Sequence, residues 1–159
     1  MGFYQFRRTQ KIPASIDQVW NFISQPGNLK QITPPSMGFE ITSAGNTEKM
    51  YPGMIISYIV KPLLGIKTLW VTEITQVKTG EYFVDEQRIG PYKMWHHEHM
   101  IEAIEGGVLM TDIVSYQPPF GWIGSLANMW LIRKKLIQIF DFRTLALEKI
   151  FGKWEGKNI

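Results

Sequence analysis

The stretch Gly90–Gly121, GPYKMWHHEHMIEAIEGGVLMTDIVSYQPPFG, decides how the rest of the chain can fold. It predicts a long β-hairpin whose first arm covers Tyr92–Ile104 and whose second arm covers Gly107–Tyr116. The sequence Glu105-Gly106-Gly107 supplies the turn, because glycine tolerates the positive φ angles that tight hairpin turns require. If the arms pair directly at the turn, every other pair in the hairpin follows from that register.

This register separates the hairpin into two chemically different faces, since side chains alternate along a strand. One face carries four cross-strand pairs: Trp95 with Tyr116, His97 with Val114, His99 with Asp112, and Ile101 with Met110. The opposite face is more charged, with Glu98 and Glu102, and is predicted to face solvent. The first face is therefore predicted to point inward. A mostly apolar wall with a few convergent polar groups is typical of a ligand pocket.

Length, composition and charge exclude several classes of protein. The 159 residues suit one domain, which we expect to span residues 1–152 and to leave 153–159 as a loose tail. The absence of cysteine excludes disulfides, a thiol nucleophile and Cys-based metal sites. A formal net charge of +3, with short basic runs, predicts a solvated surface and no nucleic-acid binding. The composition leaves the oligomeric state open.

The apolar segments favour a cytoplasmic protein. The N-terminal ten residues lack the continuous apolar segment of a signal peptide. The longest apolar stretch, Met54–Val71, is interrupted by Lys61, Pro62 and Lys67, so no stable membrane insertion is expected.

Hydrophobic periodicity predicts an α+β protein in which helices flank a run of strands. Phe3–Ile12 alternates as a strand, and Ser15 and Gln18 form the pattern of a capping box that begins a helix. Pro26–Thr33 predicts a second short helical turn. From Ser36 the period of two predicts six further strands: Met37–Ser43, Gly53–Lys61, Ile66–Val77, Glu81–Arg88 and the two hairpin arms.

The period returns to 3.6 over Trp122–Phe151, which predicts one long C-terminal helix. Its apolar stripe contains Leu126, Met129, Arg133, Leu136, Ile137, Phe140, Arg143 and Leu147. Such a stripe must pack against a large apolar surface, and the sheet is the only one available. The chain is thus expected to form a seven-stranded, curved antiparallel sheet wrapped around this helix, with an internal cavity between them.

This order of elements resembles the START-like helix-grip fold of the SRPBCC superfamily, in particular its bacterial polyketide cyclase/dehydrase-like ligand-binding branch. The resemblance covers nearly the whole chain. It is carried by Pro26-Gly27-Asn28-Leu29 with Ile32-Thr33-Pro34-Pro35, by Phe83-x-Asp85-x-Gln87 with Gly90-Pro91-Tyr92, Trp95, His97 and His99, and by Gly106-Gly107, Met110-x-Asp112, Tyr116, Pro119-Phe120-Gly121, Arg133, Phe140 and Arg143. Ile101 and Val108 depart from the pattern, where Phe and Thr are commoner, and these changes affect packing.

The resemblance implies a hydrophobic cavity in a single START-like domain. Members of the superfamily bind lipids, isoprenoids or polyketides, and some catalyse reactions. It also implies that Asp85 and Gln87 point inward. The candidate ligand-binding residues are Trp70, Phe83, Asp85, Gln87, Trp95, His97, His99, Met110, Asp112, Tyr116, Met129, Arg133 and Phe140. The aromatic residues among them could equally be core residues.

The charged candidates allow more than one interpretation. His99 and Asp112 could orient an imidazole for acid–base work, or could form a buried pair that satisfies itself. Arg133 and Arg143, on the apolar stripe, could reach Asp85, Asp112 or an anionic ligand, or could extend to solvent. His97, His99 and Asp112 also match the count of a two-His, one-carboxylate metal site. The resemblance offers no metal precedent, so we expect neither a metal nor a cofactor.

Three functions follow from these residues. The first is a binding module for a hydrophobic or amphipathic small molecule. The alternative is a cyclase- or dehydratase-type enzyme, with His99 and Asp112 as catalytic candidates and Tyr116 or an arginine stabilising an enolate. The third is a regulatory protein whose exposed aromatic residues bind another macromolecule.

Overall fold

A computed structural model describes residues 2–43, 49–61, 65–119 and 128–155. The side chains of residues 128 and 129 are outside this description. The predicted first part of the C-terminal helix, including Leu126, therefore lies outside the described residues. So do most of the predicted turn at 62–65 and the last four residues of the predicted tail.

The described chain folds as a curved antiparallel sheet with a long C-terminal helix and short N-terminal helices, which confirms the predicted helix-grip α+β fold. The sheet has seven strands in the order β1-β7-β6-β5-β4-β3-β2. The strands are β1 (Tyr4–Ile12), β2 (Glu40–Ile41), β3 (Met54–Val60), β4 (Thr68–Lys78), β5 (Tyr82–Ile89), β6 (Met94–Ile104) and β7 (Gly107–Gln117). The α-helices are α1 (Ile16–Ile23) and α2 (Arg133–Phe151), and a π-helical turn, Asn128–Ile132, leads into α2. No helix within the described ranges has the length and apolar character to cross a membrane.

The hairpin formed by β6 and β7 has the predicted register, from Ile104 opposite Gly107 to Trp95 opposite Tyr116. Gly106 has a φ of 82°, a conformation that residues with a Cβ rarely adopt. The inward face is buried as predicted at His97, His99, Ile101, Met110, Asp112, Val114 and Tyr116. The outward face is less exposed than predicted.

Two residues of the outward face, Thr111 and Ser115, are buried although this face points away from the cavity. Strand β7 lies between β1 and β6, so each short side chain has a cross-strand neighbour on both sides. Gln5, for example, pairs with Ser115 and donates a hydrogen bond from Nε2 to its Oγ at 3.2 Å.

The N-terminal half agrees with its sequence signals except at β2. The capping box at Ser15 and Gln18 is present, and Pro26–Ile32 forms a 3-10 helix. The predicted strand Met37–Ser43 is reduced to two residues, because Pro35–Met37 forms a 3-10 turn that ends at Gly38 with a φ of 54°. This turn places Met37 at the apolar wall described below.

The buried stripe of α2 consists of Leu136, Phe140, Arg143 and Leu147. Two predicted members of the stripe, Arg133 and Ile137, are exposed. At roughly 100° per residue, both lie to one side of the line through the buried four, where an arginine side chain can stay hydrated. Ile132, on the other side, is buried instead. The stripe packs against the inward face of the hairpin, where Phe140 and Leu136 share a buried cluster with Val114 and Tyr116.

Candidate functional site

A cavity of about 140 Å³ lies between the sheet and α2. Its wall is mainly apolar and aromatic, and strands β3 to β6 contribute the largest share of it. The sheet side includes Ile56, Tyr58, Val60, Trp70, Thr72, Ile74, Phe83, Asp85, Trp95, His97 and His99, while Ile132, Lys135, Leu136, Ile139, Phe140 and Arg143 lie on the helix side. The short 3-10 segments close one end with Leu29, Thr33 and Met37.

The structure places the thirteen predicted ligand-binding residues in three kinds of position. Those on the described cavity wall are Trp70, Phe83, Asp85, Trp95, His97, His99 and Phe140. Those behind or beside the wall are Gln87, Met110, Asp112, Tyr116 and Arg133. The side chain of Met129 lies outside the described residues.

The residues behind the wall have structural partners that explain their positions. Gln87 holds the loop before β6, because its Nε2 donates to the carbonyl of Tyr92 at 2.7 Å and its Oε1 accepts from the Tyr92 amide at 3.2 Å. Met110 is buried in the core cluster that contains Ile12 and Trp20. Tyr116 is fully buried against Tyr4 and Tyr92. Arg133 is exposed, and Lys135 and Arg143 are instead the basic residues of α2 on the wall.

Five charged or titratable side chains, Asp85, His97, His99, Asp112 and Arg143, form one inner cluster at the base of the cavity. Asp112 Oδ1 lies 3.0 Å from His97 Nε2, 3.1 Å from His99 Nδ1 and 2.8 Å from Arg143 Nη1. Asp85 Oδ2 lies 2.7 Å from His99 Nε2 and 3.4 Å from His97 Nδ1. Each imidazole therefore has one ring nitrogen toward each carboxylate.

Strand register brings the inner cluster together. In β6 and β7, His99 pairs with Asp112, and in β5 and β6, Asp85 pairs with His97 and Phe83 with His99. The two imidazole rings lie with their centroids 3.7 Å apart, and the ring of Phe83 stacks on that of His99 at 4.1 Å. The rings of His97 and Phe140 meet at an angle of 71°, so packing restricts both imidazoles.

The two histidines of the inner cluster have pKa values that are shifted in opposite directions. Burial disfavours the cationic form of His99, but hydrogen bonds to Asp112 and Asp85 outweigh burial and raise its pKa above the ordinary value. Burial and the charge of His99 lower the pKa of His97 to about 4. His99 thus holds its proton more tightly than an ordinary imidazole, while His97 loses its proton more readily.

Both aspartates of the inner cluster are ionised. Burial would raise the pKa of Asp85. The hydrogen bond from His99 and the electrostatic attraction of His97, His99 and Arg143 lower it instead. Burial would also raise the pKa of Asp112, but the Arg143 guanidinium and the hydrogen bonds from both histidines lower it. Two buried carboxylates can remain charged here because each has cationic or hydrogen-bonding partners.

The geometry gives little support to the predicted enzymatic roles. Both nitrogens of His99 face carboxylates, so neither is directed at a substrate position. Tyr116 does not lie on the described wall, whereas Arg143 does. The arrangement is better suited to holding a polar group in place than to moving a proton through His99.

A second polar point on the wall was not among the predicted residues. Tyr58 Oη lies 2.8 Å from Thr72 Oγ1, which also accepts a hydrogen bond from Trp70 Nε1 at 3.1 Å. Burial, together with the charge of Asp85, raises the pKa of Tyr58, so its hydroxyl stays protonated. The alternation of Met54, Ile56, Tyr58 and Val60 along β3 is the sequence signal that could have identified it.

Comparison with solved structures shows the same fold in proteins of low sequence identity. The chain is similar to Ara h 8.0201, with 13% identity over 94% of this chain and 98% of that chain and a TM-score of 0.64. It is similar to a START superfamily protein from Mycobacterium smegmatis, with 13% identity over 94% and 97% of the two chains and a TM-score of 0.68. Protein CV1439 from Chromobacterium violaceum gives a TM-score of 0.70 at 11% identity over 94% and 98% of the chains.

The similarity to these proteins extends to the fold. No family model and no curated protein sequence matches the chain. At these identities the shared feature is the helix-grip architecture, which confirms the fold expected from the START-like resemblance.

Proposed function

We propose that this protein binds a hydrophobic or amphipathic small molecule, such as a lipid, an isoprenoid or a polyketide-like compound, in the cavity between the sheet and α2. One observation carries the proposal: an apolar, aromatic-lined cavity has a buried cluster of charged side chains at its base. Ligand sites combine these two features, because apolar area supplies affinity and a few polar groups fix orientation. The helix-grip fold, shared with a START superfamily protein, supports the same function.

We infer the positions of the two ends of the ligand from the residues on the cavity wall. The apolar part packs against Trp70, Trp95, Leu136 and Phe140. The polar end lies at Asp85, His97 and His99 on the sheet side of the wall and at Arg143 on the helix side. A single START-like domain over residues 1–152 carries the whole site.

Native mass spectrometry of protein purified without detergent tests the proposal directly. We expect a discrete mass difference between the native and denatured samples that corresponds to a bound apolar molecule. Leu136→Trp, which places a larger side chain at the cavity wall, should remove that difference. Ile137→Trp is the matched control, because the neighbouring residue is 41% exposed and lies off the buried stripe.

Titration with paired ligands tests the assigned polar end. Tryptophan fluorescence should report the binding of a long isoprenoid alcohol at least about tenfold tighter than the hydrocarbon of the same length, because a hydrogen bond to a charged group is worth about 1.5–3 kcal/mol. Binding of neither compound, together with a native mass equal to the denatured mass and unchanged in Leu136→Trp, would contradict the proposed function.

A further inference from the structure

We propose that Asp85, His97 and His99 form a binding site for one divalent transition-metal ion at the base of the cavity. Each residue offers one ligand atom, and the three atoms lie within 4.8 Å of one another. Two imidazoles and one carboxylate, with further positions open to a cavity, are a ligand set that binds Fe²⁺ or Zn²⁺. This inference goes beyond the binding of an organic ligand and does not depend on it.

One of the two distances around Asp85 matches the spacing of ligands on a metal, and the other is somewhat shorter. Asp85 Oδ2 lies 2.7 Å from His99 Nε2 and 3.4 Å from His97 Nδ1. Metal bonds of about 2.0–2.2 Å place neighbouring ligand atoms about 3–3.5 Å apart in a tetrahedral site. Small movements of these side chains are therefore sufficient to accommodate an ion between the three atoms.

Asp112 supplies the independent observation that distinguishes this site from an ordinary group of charges. Its Oδ1 lies 3.0 Å from His97 Nε2 and 3.1 Å from His99 Nδ1, which are the ring nitrogens directed away from Asp85. Metal-binding histidines generally donate their second ring N–H to a carboxylate, which selects the tautomer and orients the ring. Because Asp112 holds these two N–H groups, loss of the proton on His99 Nε2 would leave the lone pairs of both imidazoles directed toward Asp85, where the ion would bind.

Arg143 and two aromatic rings hold this arrangement in place. Arg143 Nη1 donates to the same Asp112 oxygen at 2.8 Å, so the outer carboxylate is anchored to α2. Phe83 stacks on His99 at 4.1 Å, and Phe140 meets His97 edge-on. A metal site needs its ligands oriented before the ion arrives, and packing provides that orientation here.

The net charge of the proposed site indicates which kind of additional ligand the metal ion would bind. A divalent ion and Arg143 together exceed the charge of Asp85 and Asp112 by one positive charge when both imidazoles are neutral. Asp85, His97 and His99 all lie on the cavity wall, so an additional donor would enter from the cavity. The site therefore favours an anionic oxygen donor, such as a carboxylate or an enolate, or a hydroxide.

Calorimetric titration of the untagged, chelator-treated protein with Zn²⁺ tests the site, with Mg²⁺ as the control cation because it prefers oxygen ligands. We expect one Zn²⁺ per chain and no binding of Mg²⁺. Asp85→Asn and His97→Gln should abolish Zn²⁺ binding, and Asp112→Asn should weaken it about 10–100-fold by removing the outer partner. His96→Gln is the matched control, since His96 is the adjacent residue on the opposite face of β6.

Each alternative result contradicts the proposal. The site is rejected if wild-type protein binds no Zn²⁺, if binding survives Asp85→Asn, or if His96→Gln removes it equally. Because a variant could fail to fold, circular dichroism is recorded for each one. Co²⁺ absorption of the wild type provides a readout that needs no variant: ligand-field bands of a four- or five-coordinate site support the proposal, and a spectrum equal to that of hydrated Co²⁺ overturns it.

Discussion

Two groups of carboxylates, histidines and an arginine lie on opposite faces of the sheet around strands β5 and β6. The inner cluster, Asp85, His97, His99, Asp112 and Arg143, is buried beside the cavity. The outer cluster, Glu73, Glu86, Arg88, His96 and Glu98, faces solvent. Arg88 Nε bonds Glu73 at 2.6 Å, and His96 Nδ1 lies 3.0 Å from Glu86. The contact distances are therefore similar in the two groups.

The difference lies in the surroundings of the two clusters. The side chains of Arg88 and Glu73 are 46% and 28% exposed, so water screens their attraction and competes for each hydrogen bond. The His97 and Asp112 side chains are each 6% exposed, so their charges depend on protein partners. At similar contact distances, the ion pairs of the outer cluster are therefore weak, whereas the residues of the inner cluster depend on one another for stability.

The largest expected effect comes from removing one carboxylate from each cluster. Asp112→Ala leaves Arg143 and His97 without their main acceptor in a buried place, which should cost about 3–5 kcal/mol of the free energy of unfolding. Glu86→Ala should cost about 0–1 kcal/mol, because its partners regain water. Urea unfolding at constant m value measures both. Equal losses would show that burial does not distinguish the clusters.

A smaller effect is the coupling energy between the two residues of a pair. A double-mutant cycle of Asp112→Asn and Arg143→Met should give a coupling of about 1–3 kcal/mol, because the residues share one buried network. The corresponding cycle of Glu73→Gln and Arg88→Met should give about 0.2–1 kcal/mol. Equal coupling energies in the two pairs would show that burial does not strengthen the interaction of Asp112 with Arg143.

The smallest expected effect is the response of these couplings to salt. At 1 M salt the Debye length falls to about 3 Å, so the coupling of Glu73 with Arg88 should approach zero. The coupling of Asp112 with Arg143 should keep its low-salt value, since bulk ions do not reach a buried pair. Repeating both cycles in NaCl measures the difference, and a parallel loss in the two pairs would mean that the inner cluster is solvated.

The inward part of the candidate site followed largely from the hairpin sequence. Side-chain alternation and a turn at Gly106 place His97, His99 and Asp112 on one face, and the structure has that register. These are local rules, so a single stretch of sequence is sufficient to apply them. The sequence also indicated the apolar stripe of α2 through Leu136 and Phe140.

Other members of the inner cluster could not be chosen from the sequence. Arg133 and Arg143 both lay on the predicted stripe, and only the position of α2 against the sheet buries Arg143 at Asp112 and leaves Arg133 exposed. Asp85 was expected to point inward, but its approach to both histidines depends on the register between β5 and β6. Residues 90–93 connect those strands without a tight-turn signature that would set the register.

The sequence by itself determined the order of elements, the pairing of the hairpin and the class of residues on its inward face, because hydrophobic period and turn chemistry act over neighbouring residues. Only the tertiary structure decided that Asp85 contacts both imidazoles, which arginine binds Asp112, and which residues line the cavity. Those choices depend on strand register across an irregular loop and on the contact of α2 with the sheet. Both bring together atoms that are distant along the chain, such as Asp112 and Arg143, so local patterns do not contain them.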